Sequence, residues 1–303
     1  AVQHQGFVRY AHSIGGIVGI HDGTDDDDAY AKAIEIQKET GATFLHPFND
    51  EYVIAGQGTI SLEILEQLEN VDTIVCPIGG GGIISGVATA AKALKPSIKI
   101  VGVQTSNIPS MKESLEKGEV TSAFKDVTIA DGIAVKTPGD LTFSIIKDLI
   151  DEIIVVDEDE IAQAMLFLLE NQKVTAEGAG AVSTAAIWSG KYIPIIDDNV
   201  VCIISAGNVD INTLYRVIDT GLVKCGRRYT FRTHIVDRPG GLSEVTRILT
   251  DLNANILSAN MSKLSSKYGL GTQAVELTIE TFDEKHKEEI RDSIIKAGFV
   301  ISD

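Results

Sequence analysis

The sequence is poor in basic side chains. Its 303 residues contain 26 Lys and Arg against 43 Asp and Glu, which gives a formal net charge of −17 at pH 7. Proteins that bind nucleic acid or an anionic membrane surface need a basic face, because the phosphates they contact are negatively charged. The charge balance therefore argues against both kinds of partner.

Cysteine and long apolar runs are also scarce. Cys76, Cys202 and Cys225 are far apart and show no C-x-x-C spacing. The first two fall in apolar segments, where a reduced thiol behaves as a small hydrophobe. No apolar run approaches the length of a membrane span, and Ala1–Gln5 has neither the basic start nor the apolar block of a secretory leader. We therefore expect a cytoplasmic protein.

The sequence does contain a glycine run between two apolar segments. Thr73–Pro77 predicts a buried strand, Gly79–Gly82 a loop, and Ile83–Lys95 a helix with apolar and small residues on one face. Such a unit aims backbone N–H groups and a helix N-terminus at an anion, and no Cβ blocks the approach of a phosphate. A flexible linker is the alternative, but linkers are seldom held between a hydrophobic strand and an apolar helix. The run matches neither G-x-G-x-x-G nor G-x-x-x-x-G-K-[ST], so dinucleotide and P-loop nucleotide binding are weakly supported.

Strand and helix patterns alternate up to residue 222. This alternation predicts an α/β fold with a parallel sheet covered by helices, whose ligands lie beyond the carboxyl ends of the strands. Further strands are expected at Ile14–Ile20, Thr43–Pro47, Lys99–Gln104, Glu152–Asp157 and Val200–Ala206. Further helices are expected at Gly56–Asn70, Ile108–Lys117, Leu141–Leu149, Glu158–Gln172, Ala179–Ser189 and Ile211–Leu222. The acidic run Asp25–Asp28 resembles a metal site, but its place before Ala29–Ile34 favours a helix N-terminus.

The pattern changes at Lys224. Over the next 75 or so residues the order of elements becomes β-α-β-β-α-β, which is the ferredoxin-like split unit. Its expected elements are the strands Tyr229–Val236, Ile256–Ser265, Thr272–Thr281 and Phe299–Ser302 and the helices Leu242–Leu252 and Asp283–Ala297. We expect one domain over residues 1–222, with a small part at 1–41 and a large part at 42–222, and a second domain over 224–303.

Two polar residues stand out near the expected strand ends. Ser205 follows a buried strand and could bond a ring nitrogen of a ligand or cap the helix that starts at Asp210; the pattern alone favours the cap. Glu177 lies among small residues and could be functional or serve as an anion at a helix N-terminus.

Four motifs then occur in order: Ile54–Thr59, Pro77–Gly82, Ala130–Lys136 and Ser205–Asp210. Together they resemble the threonine dehydratases (threonine ammonia-lyases), with serine racemases as close cousins. Both are pyridoxal-phosphate enzymes of the tryptophan-synthase-β fold, known as fold type II. Residues 229–303, with Asp237–Leu242 and Asn253–Ile256, resemble an ACT regulatory domain.

The resemblance implies roles for the matching positions. Gly79, Gly80, Gly81 and Gly82 would bind the phosphate of pyridoxal 5′-phosphate through their N–H groups, and Glu177 would lie near the cofactor ring. Ser205 would bond the pyridine nitrogen, where a neutral side chain favours β-elimination. The implied reaction converts L-threonine to 2-oxobutanoate and L-serine to pyruvate, with release of ammonia.

The N-terminal part departs from the family. The family's S-F-K-x-R-G-A segment, whose lysine forms a Schiff base with the cofactor, has no match, so the catalytic lysine is not identified. Gln3 falls where the family has an asparagine, and roughly thirty family residues have no counterpart between Ile20 and His21, a larger gap than a short loop would leave. Lys32, Lys38, Lys92 and Lys95 all have the spacing of solvated helix faces. The 303 residues by themselves are therefore expected to form no covalent link to the cofactor, because none of their lysines is placed to reach it. The alternative function is a catalytically inactive scaffold that serves as an amino-acid-binding regulatory protein.

No metal site is expected. Gln104 and Ser110 stand where the divalent-ion site of serine racemases would need carboxylates.

The second domain carries a candidate effector site. Gly240, Gly241 and Leu242 form a turn into a helix whose free N–H groups can take a carboxylate, and Asn255 can bond an α-amino or carboxylate group. Leu242, Ile256 and Leu257 offer apolar surface, which favours a branched aliphatic amino acid. ACT domains usually hold such ligands between two copies, so the resemblance implies a homo-oligomer. A purely oligomerising role for this domain is the alternative.

Overall fold

The computed structural model describes residues 26–41, 43–262 and 271–302. The chain divides into two compact units, one ending at Val209 and the other beginning at Asp210. The division lies before the helix Ile211–Lys224, whereas the sequence pattern predicts that this helix closes the first domain. The expected strand Ile14–Ile20 and the segment around Gln3 lie outside the described residues.

The first unit alternates helices and strands. Its helices are α1 (Asp26–Thr40), α2 (Glu51–Gln67), α3 (Gly82–Leu94), α4 (Ser110–Lys117), α5 (Asp140–Leu149), α6 (Glu158–Phe167, continued by a π-helical turn at Leu168–Gln172) and α7 (Gly178–Trp188). Its strands are β1 (Thr73–Pro77), β2 (Lys99–Thr105), β3 (Glu152–Val156) and β4 (Val200–Cys202). α1 begins within the acidic run, as expected of a helix N-terminus.

The four strands form one parallel sheet in the order β3-β2-β1-β4. Thr73 of β1 pairs with Lys99 of β2 on one side and with Val200 of β4 on the other. Every residue of β1 is buried, because helices cover both faces of a sheet of this kind. The predicted parallel α/β architecture is confirmed.

Helix α2 begins earlier than predicted. The Asp50 side chain accepts hydrogen bonds from the N–H groups of Tyr52 and Val53, so the helix begins at Glu51 and not at Gly56. Gly58 of this helix and Gly86 of α3 allow the two helices to pack closely. A Cβ on Gly86 of α3 would lie 2.2 Å from the Ile54 carbonyl oxygen, and one on Gly58 would lie 3.2 Å from the Gly86 carbonyl oxygen. The two helices therefore approach each other with backbone against backbone.

Two strand predictions need correction. Residues 43–47 form no strand in the part of the chain that the structure describes; Pro47 has no N–H group, and the next residues turn to cap α2. The last strand of the sheet ends at Cys202 and not at Ala206, because the chain then leaves the sheet to contact the start of α7.

The second unit contains α8 (Ile211–Lys224), β5 (Arg228–Val236), α9 (Gly241–Asp251), β6 (Asn255–Ser262), β7 (Thr272–Glu280) and α10 (Glu284–Lys296). The antiparallel sheet has the order β5-β7-β6. The predicted strand at Phe299–Ser302 is reduced to one bridge between Ser302 and Arg232 on the outer edge of β5. Phe231, Leu249, Leu277 and Ile290 form part of the core between this sheet and its helices. Asp283 caps α10 as predicted.

Among the described helices, none combines the length and apolar character needed to cross a membrane.

Candidate active site

The glycine loop lies where β1 ends and α3 begins. Gly81 is the N-cap residue of α3 and has φ of +98°, a left-handed conformation that favours glycine. A Cβ on Gly80 would lie 2.4 Å from the Phe48 ring, and one on Gly82 would lie 2.8 Å from the Phe48 Cβ. The N–H groups of Gly79, Gly80, Gly81 and Gly82 donate no hydrogen bond to any described residue. The loop therefore presents free donors at a helix N-terminus, the arrangement that binds a phosphate.

A second segment holds this loop in place. The Thr142 hydroxyl donates to the Gly80 carbonyl oxygen at 2.6 Å. The Asn49 side-chain oxygen accepts hydrogen bonds from the N–H groups of Leu141 at 3.1 Å and Thr142 at 3.4 Å, at the start of α5. His46 Nδ1 accepts from the N–H groups of Phe48 and Asn49, and burial lowers the pKa of His46. The residues 46–50 thus link the starts of α2 and α5 to the glycine loop.

The sequence reasoning missed Phe48, Asn49 and Thr142. Asn49 and Asp50 are frequent helix-capping residues, so their adjacency was a usable signal for a turn that starts a helix. The contact of Asn49 with the start of α5 joins positions 92 residues apart in the chain and had no local signal.

Ser205 lies three residues beyond the end of β4. Because β4 pairs directly with β1, both Ser205 and the glycine loop follow strands that end at the same edge of the sheet. Ser205 is exposed, and its hydroxyl makes no hydrogen bond within the described residues. The helix cap favoured by the pattern is wrong, because the Asp210 side chain caps α8 by accepting from the N–H groups of Asn212 and Thr213.

Glu177 is a buried carboxylate, 9% exposed, at the N-cap position of α7. It makes no side-chain capping bond. Instead its Oε2 accepts from the Asn208 N–H at 2.8 Å. Glu177 therefore fixes the loop that follows Ser205. Its position at the start of α7 agrees with the expected alternative of an anion at a helix N-terminus, although its side chain does not cap the helix.

Small residues around Glu177 allow three segments to meet. A Cβ on Gly178 would lie 2.3 Å from the Ile129 carbonyl oxygen, and one on Gly180 would lie 2.3 Å from the Ala206 carbonyl oxygen. A Cβ on Gly132 would lie 2.8 Å from Glu177 Oε1. The motif Ala130–Lys136 and the loop after β4 are thus packed against the start of α7.

The electrostatics of Glu177 follow from this packing. Burial raises the pKa of the Glu177 carboxyl, the Asn208 N–H opposes this shift, and the nearby Asp131 carboxylate adds to it.

The four lysines with the spacing of solvated helix faces make their contacts outside the glycine loop. Lys32 pairs with Glu35 at 2.7 Å, Lys92 pairs with Asp151 at 2.8 Å, and Lys95 donates to the Val71 carbonyl oxygen. Lys38 is an exposed residue of α1. None of these contacts involves the glycine loop.

The two polar residues examined for a metal site have structural partners. The Gln104 side-chain oxygen accepts from the Lys112 N–H, and the Ser110 hydroxyl donates to the Val135 carbonyl oxygen. The described residues contain no cluster of His, Cys, Asp or Glu that could hold a metal ion.

The candidate effector residues lie at the start of α9 and on β6. Gly240 is the N-cap residue of α9 with φ of +88°. The Gly241 N–H is taken by the Arg238 carbonyl oxygen, so the turn offers fewer free donors than expected. Leu242 packs against the core of the unit, and Asn255 donates to Glu280 at 2.7 Å.

These features define a class of protein. Free amides on a glycine loop that admits no Cβ, with an unbonded hydroxyl beyond the neighbouring strand, fit the phosphate and ring nitrogen of pyridoxal 5′-phosphate. Residues 6–207 match the family described as pyridoxal-phosphate dependent enzymes, and residues 229–297 match the ACT domain. The chain belongs to the pyridoxal-phosphate dependent enzymes, and its cofactor is pyridoxal 5′-phosphate.

Proteins of similar sequence indicate which group of pyridoxal-phosphate dependent enzymes this chain resembles. An L-threonine ammonia-lyase from Thermotoga maritima is 49% identical over 282 residues, which cover 93% of this chain and 70% of that protein. An L-threonine ammonia-lyase from Geobacter sulfurreducens is 41% identical over 92% of this chain and 69% of that protein. Among solved structures, the processed form of threonine deaminase isoform 2 from Solanum lycopersicum aligns with a TM-score of 0.67 and 34% identity, over 72% of this chain and 60% of that chain. The predicted fold type II, the ammonia-lyase class and the ACT domain are confirmed.

Proposed function

We propose that the enzyme deaminates L-threonine, and L-serine as a second substrate, to the 2-oxo acid and ammonia. The observation that carries this proposal is the neutral, unbonded hydroxyl of Ser205 beyond β4, beside the glycine loop, in a chain that is 49% identical to an L-threonine ammonia-lyase.

Pyridoxal phosphate, when bound, supplies an electron sink for the bonds to the substrate's α-carbon. The N–H groups of Gly79–Gly82 would hold its phosphate, with support from the dipole of α3. Thr142 and Phe48 keep this loop in its binding conformation through the contacts described above.

Ser205 would bond the ring nitrogen without giving it a full proton. A neutral partner limits how much negative charge the ring withdraws from the α-carbon, which favours departure of the β-hydroxyl over reprotonation. Glu177 supports this role by holding the Asn208 N–H, and with it the loop that carries Ser205.

We assign the second unit to control of the reaction by an amino acid at Gly240, Gly241, Leu242 and Asn255, with a branched aliphatic side chain as the preferred ligand. The N-terminus of α9 favours a carboxylate, and Leu257 offers exposed apolar surface. Coupling between this site and the active site is expected at about 1–3 kcal/mol and is reciprocal in binding.

We also propose that the protein forms a homo-oligomer with paired ACT domains. A cytoplasmic location is proposed because its three cysteines are separate free thiols.

The activity is tested on the protein that carries this chain, supplied with pyridoxal phosphate. Release of ammonia together with 2-oxobutanoate from L-threonine is the expected result. A matched pair of variants links this activity to the loop. Gly81→Ala, at φ +98°, should lose cofactor, whereas Gly118→Ala, at φ +79° in open space at the end of α4, should keep it. Bound cofactor without release of either 2-oxo acid would overturn the proposal and favour an inactive, amino-acid-binding scaffold.

The effector assignment is tested by calorimetric titration of the full chain with isoleucine, valine and threonine. Binding that is weakened by Asn255→Ala supports the assignment. No binding at millimolar concentration, with the oligomer intact, would leave only an oligomerising role for the unit.

A further inference from the structure

The second unit contains a cavity of about 450 Å³ at the outer edge of β5. It lies between the start of that strand and helix α10, and the end of α8 contributes Val223. Its other lining residues are Arg228, Tyr229, Thr230, Lys287, Glu288 and Arg291. None of them belongs to the effector turn or to the active site.

Three cations converge on this cavity in a chain that is otherwise acidic. Residues 210–303 contain thirteen Lys and Arg and thirteen Asp and Glu, so the second unit is formally neutral and the whole excess of −17 lies in residues 1–209. Arg228, Lys287 and Arg291 all line this one cavity.

Each cation has a carboxylate beside it. Asp219 contacts Arg228, Glu284 lies 2.7 Å from Lys287, and Glu288 lies 3.5 Å from Arg291. Only Glu288 of these three carboxylates lines the cavity. The cavity wall thus carries three cations and one anion.

A backbone donor also lies on this edge of the sheet. Arg232 exchanges both backbone hydrogen bonds with Ser302 on the outer edge of β5. Because backbone groups alternate in direction along a strand, the N–H of Thr230, two residues earlier, points to the same outer edge. It donates no hydrogen bond to any residue that the structure describes.

We propose that this cavity is a binding site for a small organic anion that carries a phosphate or a carboxylate group. A guanidinium and an ammonium bind such groups through charge-assisted hydrogen bonds. The Thr230 N–H supplies a further donor. Tyr229, whose ring lies 5.5 Å from Lys287 Nζ, and Val223 provide apolar surface for the rest of the ligand. The site does not depend on the proposed reaction.

Calorimetric titration of the full chain at low ionic strength, with inorganic phosphate in one arm and 2-oxobutanoate in the other, tests this site. We expect saturable binding that depends on Lys287 in at least one arm, and that arm identifies the chemical group; binding that Lys287→Met leaves unchanged belongs to another site, such as the glycine loop. Lys287→Met should weaken binding about tenfold, because it removes one charge-assisted contact and keeps the apolar stem. Lys285→Met, two residues earlier on an exposed position of α10, is the matched control and should leave binding unchanged.

Arg291→Gln is a second variant in case Lys287→Met reduces folding, which the melting temperature will show. Equal weakening by Lys285→Met and Lys287→Met would mean general surface attraction, and unchanged binding in both variants would mean a site elsewhere; either result would overturn the proposal. Absence of saturable binding in both arms would also overturn it.

Discussion

The Thr142 hydroxyl donates a hydrogen bond to the Gly80 carbonyl oxygen at 2.6 Å, and Thr142 is fully buried. In a trans peptide the carbonyl oxygen and the following N–H point in opposite directions. By holding the Gly80 oxygen toward α5, Thr142 therefore turns the Gly81 N–H away from α5. This contact orients one donor of the glycine loop.

Replacing Thr142 by Val should weaken the binding of pyridoxal phosphate. The variant keeps the shape of the side chain but removes one buried hydrogen bond, a loss of about 1 kcal/mol or about fivefold in affinity. Cofactor fluorescence titration measures the dissociation constant directly. Thr142→Ser keeps the hydroxyl and should restore most of the affinity; equal loss in both variants would show that packing, and not the hydrogen bond, sets the loop.

The contact between α2 and α3 predicts that Gly86→Ala destabilises the protein and that Gly56→Ala does not. Gly86→Ala places a methyl group 2.2 Å from the Ile54 carbonyl oxygen, so the helices must separate at a cost of about 1–3 kcal/mol in the free energy of unfolding. Gly56→Ala lies on the same helix pair with no atom within 4 Å and should stabilise the protein by up to about 1 kcal/mol. Urea denaturation of both variants checks the pair. Similar effects at the two positions would contradict the close helix contact.

The sequence predicted much of this architecture because its strongest signals are local. The uniformly apolar strand Thr73–Pro77 and the glycines after it can be recognised without any tertiary contact. The start of α2 was missed because Gly56 and Gly58 resemble a loop, whereas both lie inside a helix and Gly58 packs closely against α3. Ser205 and Asp210 compete for the same capping role in the sequence, and only the hydrogen bonds of Asp210 decide between them.

The residues that contact the glycine loop could not be predicted, because they are distant from it in the sequence. Thr142 lies 62 residues from Gly80 in the chain, and its contribution depends on how α5 packs against α3. Glu177 could be named as a candidate, but its bond to the Asn208 N–H needed the meeting of two distant loops.

The identity of the residue at position 205 should control the course of the reaction. Ser205→Asp places a negative charge where the neutral hydroxyl stands, and a charged partner would keep the ring nitrogen protonated. We expect a larger share of racemised amino acid and a smaller share of 2-oxo acid, measured by chiral chromatography of the products from L-serine. Ser205→Ala, which adds no charge, should lower the rate without this change in product ratio. An unchanged product ratio and rate in Ser205→Asp would show that Ser205 has no contact with the ring.

Glu177 should make the protein less stable as the pH rises. Its pKa in the folded protein is raised above the ordinary value of 4.5, first by burial and then by the Asp131 carboxylate. Between the unfolded and the folded pKa, the folded state binds more protons than the unfolded state, so the free energy of unfolding falls as the pH increases through that window.

Glu177→Gln removes this titration, and its side-chain oxygen can still accept from the Asn208 N–H. The melting temperature of Glu177→Gln relative to the wild type should therefore rise from pH 4 to pH 7. Glu63→Gln, at an exposed position of α2, is the control and should follow the wild type at every pH. If the melting temperature of Glu177→Gln relative to the wild type stayed constant or fell from pH 4 to pH 7, burial would not raise the pKa of Glu177 in the folded protein.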